Sequence, residues 1–243
     1  MQRIYLAAVI LALACLAGCS STAPSDSVAD APVIAPTAEP VSPKPATSSQ
    51  TAENEEDGNT NILIAYFSIP EEVDTTGVDA VASASIVVQD GEVLGNVQYI
   101  ANIIQQTVGG DLFRIETVES YPQDHEALVD QAAEEQDMNL RPELATALDQ
   151  VDSYDVVFLG YPNWWADMPQ ALYTFLESYD LSGKTIIPFC PHGGSGFSRT
   201  VQTIAELQPD ATVSGDGLTI SRNDVADSAD SVAEWATGIV SHL

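Results

Sequence analysis

The chain has 243 residues, with 36 Asp and Glu against 7 Lys and Arg and a formal net charge of −29. So large an acidic excess argues against nucleic acid as a partner, because phosphate backbones are held by basic patches. The 3 histidines are scattered, and Cys190, the one cysteine beyond residue 19, has no partner at ligand spacing, so no metal site is expected.

Residues 1–19 have the form of an export signal. Arg3 gives the positive start, and Ile4 to Leu16 give an apolar stretch too short to span a bilayer comfortably. It ends in Leu16-Ala17-Gly18-Cys19, which resembles the lipobox of bacterial lipoproteins. That resemblance implies cleavage before Cys19, a diacylglyceryl group on its sulfur, and a lipid anchor on the exported side of a bacterial cell envelope. Loss of Cys15 and lipidation of Cys19 leave Cys190 alone, so no internal disulfide forms. A lone cysteine beside an apolar strand is expected to be packing. Residues 20–60 are rich in Ser, Thr, Ala, Pro, Asp and Glu, and read as a disordered tether.

Residues 61–243 have a normal size for one domain. They hold 29 acidic and 5 basic residues, a formal charge of −24, which favours a basic protein partner or cations over anionic polymers. Asn61 to Phe67 is an apolar run that predicts a strand buried on both faces. Residues 69–94 read as an insertion after Ser68, with Asp90-Gly91 between apolar segments as a hairpin signal. Gly95-Asn96 opens a helix in which Val97, Ile100, Ala101 and Ile104 recur at helical spacing. Asn96 is the expected cap and Gly109-Gly110 the expected stop. Leu112 to Val118 alternates and predicts an edge strand.

A helix is expected from an Asp124 cap to about Met138. Val156 to Leu159 predicts the central buried strand, stopped by Gly160 and Pro162. Trp164 and Trp165 then offer flat apolar surfaces just beyond the strand's carboxyl end. A helix follows Met168-Pro169, then a strand over Thr185 to Phe189. The Gly-rich loop Pro191 to Gly196 comes next, with a helix from about Ser198 to Leu207. Ala211 to Ile220 holds a broken strand, and Asp224 is the expected cap of a final helix to Val240. Strands alternating with helices predict a parallel sheet covered on both faces, with its ligand cleft outside the carboxyl ends of the strands.

Four motifs lie at those ends: Tyr66-Phe67-Ser68, Gly95-Asn96-Val97, Gly160-Tyr161-Pro162-Asn163-Trp164-Trp165 and His192-Gly193-Gly194-Ser195-Gly196. In this order they resemble the flavodoxin family across nearly all of residues 61–243. The resemblance implies a three-layer α/β/α fold with a five-stranded parallel sheet in the order 2-1-3-4-5. It also implies a bound FMN. Ser68, Gly95, Asn96 and Val97 would serve its phosphate, at a helix N-terminus suited to an anion. Pro162, Asn163, Trp164 and Trp165 would lie along the ring, and His192, Gly193, Gly194 and Ser195 would close another side. The implied function is electron transfer to a redox partner protein or to a small acceptor such as a quinone. Dense negative charge around the ring would lower its potential.

Two departures stand out. The insertion splits the phosphate loop, and Val97 replaces a threonine hydroxyl. Together they keep open a flavin-free binding or scaffolding module of the cell envelope. A hydrolase at Ser195 is disfavoured, because Gly193 to Phe197 is not a Gly-x-Ser-x-Gly elbow.

Overall fold

The computed structural model describes residues 60–70, 80–81 and 85–243. The expected signal, the lipidated Cys19, nearly all of the tether and part of the insertion lie outside those residues. Among the described residues no helix is long and apolar enough to cross a membrane.

The chain enters through β1 (Ile62–Tyr66) and reaches a small antiparallel sheet of β2 (Ala80–Val81), β3 (Ile86–Gln89) and β4 (Glu92–Gly95). Helix α1 (Asn96–Val108), β5 (Asp111–Arg114), α2 (His125–Met138), β6 (Val156–Gly160) and α3 (Gln170–Ser178) follow. The chain ends with β7 (Thr185–His192), α4 (Thr200–Leu207), β8 (Thr212–Val213), β9 (Leu218–Ser221) and α5 (Ala229–Val240).

The main sheet runs β5-β1-β6-β7-β8, with β9 also on β7, and all its pairings are parallel. This is the expected 2-1-3-4-5 order, with the fifth position filled by two short segments. β8 pairs with Thr185 and Ile186, whereas β9 pairs with Phe189 to His192. The gap falls at Pro188, which has no N–H to give a neighbouring strand.

Successive strand residues feed opposite cores. Leu63, Ala65, Val157, Leu159, Ile186 and Cys190 pack with α3, α4 and Leu128 of α2. Ile62, Ile64, Tyr66, Val156, Phe158, Ile187 and Phe189 pack with α1 and α5. The apolar runs are continuous because both faces of each central strand are covered. Cys190 is buried as expected, and burial pushes its thiol well above the ordinary range.

Several boundaries differ from the sequence reading. The edge strand stops at Arg114, and Asn96 is the first helical residue rather than the cap, which is Gly95. β7 runs on to His192, so Pro191 and His192 belong to the strand. Asp224 precedes a short 3-10 turn, and Ser228 rather than Asp224 holds the cap position of α5. The hairpin turn is as expected, with Asp90 and Gly91 at φ 53° and 84°.

Gly160 ends β6 where the Phe189 ring occupies the space a Cβ would need. Replacing Gly160 by Ala should displace that fully buried ring and cost about 1–3 kcal/mol, read as a lower urea unfolding midpoint with an unchanged slope.

Candidate functional site

Seven separate chain segments meet beyond the carboxyl ends of β1, β6, β7 and β9. The first contact is between Ser68 and the start of α1. A Cβ on Gly95 would overlap Ser68 Oγ, so glycine here admits that hydroxyl. Ser68 Oγ in turn accepts from the Gln98 N–H at 3.3 Å. The Asn96 N–H donates to the Ser85 carbonyl at 2.9 Å, which ties the hairpin to the helix. The Asn96 side chain is only 2% exposed, and neither its Oδ1 nor its Nδ2 has a hydrogen-bond partner among the described residues.

The next wall comes from the loop after β6. Trp164 and Asp167 exchange backbone hydrogen bonds of 2.8 and 2.9 Å, closing a two-residue turn at Trp165 and Ala166. Both turn residues are left-handed, with φ of 52° and 62°. That conformation costs a non-glycine residue roughly 1–2 kcal/mol. The turn sends consecutive tryptophans to different places. Trp164 stands edge-on to Phe67 at 5.5 Å and to Tyr121 at 5.6 Å. Trp165 is 57% exposed, and its Nε1 donates to the Val129 carbonyl of α2 at 3.1 Å. Behind Trp164, the Tyr121 hydroxyl donates to the buried Glu135 carboxylate at 2.6 Å. Burial, reinforced by that bond, holds the hydroxyl well above its ordinary range, so it stays a donor.

Asn163 joins this loop to the Gly-rich one, its Nδ2 donating to the Gly196 carbonyl at 2.9 Å and to Ser198 Oγ at 3.0 Å. His192 Nδ1 accepts from the Gly194 N–H at 2.9 Å. The histidine therefore caps its own loop, and Nε2 is left to carry the ring proton. The Nδ1 bond goes to Gly194 rather than to Ser195.

These segments enclose a cleft of about 230 Å³. Ser68, Asn96, Val97, Pro162, Asn163, Trp164, Trp165, His192 and Gly193 line it. Of the residues expected at the site, Gly95, Gly194 and Ser195 do not line it; they shape the loops that do. Val97 is buried in the α1 core as well as lining the cleft. His125, Leu128, Val129 and Ala132 of α2, Ser85 of the hairpin, and Arg222 also line it and were not anticipated. The four α2 residues share one helical face at spacings of three and four. Among the described lining residues there is no carboxylate.

A family model described as Flavodoxin matches residues 85–239. The chain belongs to the flavodoxin family. In this flavodoxin the matched stretch begins at Ser85, within the residues that separate β1 from α1, so it takes in β3 and β4 but not β1. No curated protein matches the chain. Among solved structures it is similar to a candidate flavoprotein from Bacteroides eggerthii, at 26% identity and a TM-score of 0.51, over 72% of this chain and 99% of that one. It is also similar to one from Bacteroides uniformis, at 23% identity and a TM-score of 0.55, over 74% and 99%. A flavoprotein in complex with FMN from Lactobacillus acidophilus is 18% identical over 69% and 97%, with a TM-score of 0.47.

The buried Asn96 amide gives a stability test. An unpaired buried polar group costs about 1–3 kcal/mol. Asn96→Leu, which keeps the branching at Cγ and removes the polar atoms, should raise the thermal midpoint of the ligand-free protein rather than lower it.

Proposed function

We propose that this flavodoxin binds FMN in the cleft and works as a redox protein held to the envelope membrane by a lipid on Cys19. The observation that carries the cofactor reading is the Asn96 amide. It is buried at the N-terminus of α1, faces the cleft and has no partner among the described residues. A phosphate or flavin heteroatom would satisfy it, next to the positive end of a 13-residue helix. The rest of the lining suits the same ligand. Trp164 and Trp165 give aromatic surface, Asn163 fixes the two loops to each other, and His192 Nε2 offers a donor. The missing hydroxyl at Val97 forfeits one bond to a charged group, worth about 1.5–3 kcal/mol. That weakens affinity about tenfold to a hundredfold without closing the site.

When bound, FMN supplies the electron-accepting ring, and the residues around it bind, orient and tune it. Electrons would pass to a redox partner protein, whose basic surface the domain's acidity favours, or to a small acceptor such as a quinone. Whether the chain is a carrier or a reducing enzyme follows from which acceptor it serves.

Titration with FMN should give saturable quenching of flavin fluorescence. Replacing Trp164 by Ala, or Asn96 by Leu, should weaken binding at least about tenfold, since stacking and charge-assisted hydrogen bonds are each worth over 1 kcal/mol. Absence of quenching at micromolar protein would overturn the cofactor reading in favour of a flavin-free envelope binding module. Separately, Cys19→Ser expressed in a bacterial host should move the protein out of the membrane fraction. Retention there would overturn the lipid anchor.

A further inference from the structure

The domain has five cations, and four of them do not line the cleft. Arg114 bonds the Ser68 carbonyl and pairs with Glu116, and Arg141 forks onto Glu177. Lys184 Nζ donates to the Tyr154 carbonyl at 2.7 Å, and Arg199 is exposed. Arg222 alone of the five lines the cleft. It directly follows β9, and its backbone N–H donates to the His192 carbonyl at 2.8 Å. That bond continues the β7–β9 register, in which Ser221 pairs with His192, and so fixes where the side chain leaves the sheet.

The guanidinium lies over the backbone of Gly193. A methyl built there would sit 3.8 Å from Cζ and 3.9 Å from both Nε and Nη1, so the contact is with the flat face of the group. Its N–H edge is then left for other partners. Arg222 is half-buried, forms no ion pair and donates no side-chain hydrogen bond among the described residues. A half-buried cation without a counter-charge is unusual where 29 carboxylates are available. None of them is among the described residues that line the cleft.

We infer that Arg222 is the charge partner of the anion that bound flavin becomes on reduction, and so raises the cofactor's potential against the acidic domain around it. The inference rests on the FMN reading above. Two electrons and one proton from a reductant convert the neutral oxidised ring to the reduced ring with one added negative charge. The cleft offers that charge a guanidinium and no competing carboxylate among the described lining residues. A residue paired with this charge binds reduced flavin more tightly than oxidised flavin. A residue paired with the phosphate binds both forms equally and leaves the potential alone.

The test measures two quantities on the purified flavin-loaded protein and on Arg222→Gln and Arg222→Lys. The first is the dissociation constant of oxidised FMN. The second is the two-electron midpoint potential, from dithionite titration against a reference dye. Arg222→Gln should leave oxidised binding within about threefold and the thermal midpoint unchanged. It should weaken reduced flavin at least about tenfold, a fall of about 30 mV for a two-electron couple. Arg222→Lys should recover most of that fall. An unchanged potential, with or without weaker binding of both forms, would overturn the inference, as would an equal fall in both variants. If the unaltered protein binds no FMN, the cofactor reading fails first, which the binding curve reports by itself.

Discussion

The packing of Ser68 against Gly95 holds the site together. Twenty-six residues separate the two in the chain, where a flavodoxin is expected to pass directly from first strand to first helix. Such an insertion is less costly than it looks, because each doubling of loop length adds only about 0.6 kcal/mol of closure entropy. Its ends must nevertheless be pinned. One pin is Ser68 Oγ, which occupies the space of a missing Cβ and holds the Gln98 N–H. Another is the Ser85 carbonyl, which holds the Asn96 N–H. The hairpin adds Ile86 and Val87, both buried. These contacts use two N–H groups of the first helical turn, so the Asn96 side chain becomes the polar group that α1 presents to the cleft.

The distribution of charge follows a second constraint. A net charge of −24 on the domain would oppose any anionic ligand at long range. At short range the cleft is the exception, with Arg222 and two histidines among its described lining residues and no carboxylate. Screening weakens the long-range term over about 8–10 Å at physiological salt, whereas a half-buried contact is screened far less. A site of this kind can hold an anion while the surrounding surface selects for cationic partners.

The sheet was legible in the sequence for a physical reason. Each residue from Val156 to Leu159 meets an apolar layer on one face or the other, so the run carries no polar interruption. The Asp90-Gly91 turn was legible because its positive φ angles demand such residues. Arg222 was not read as part of the site, although its place just after the last strand and the scarcity of basic residues were both visible. What was missing is the β7–β9 register, a long-range fact that sets it beside Gly193. The cleft face of α2 was hidden differently, because Leu128 and Ala132 look the same whether they face a core or a ligand.

The Trp165–Ala166 turn marks where local reading stops. Neither residue favours the left-handed conformation, and together they cost roughly 2–4 kcal/mol on the usual scale. Two backbone hydrogen bonds between Trp164 and Asp167 return about 1 kcal/mol each, leaving the turn near balance at best. Tertiary contacts supply the rest: Trp164 against Phe67 and Tyr121, and Trp165 Nε1 on the Val129 carbonyl. The turn therefore exists because β1, α2 and the β6 loop are already together. Trp164, Trp165 and Val129 take part in those contacts and also line the cleft, so backbone strain and ligand surface come from one arrangement of side chains.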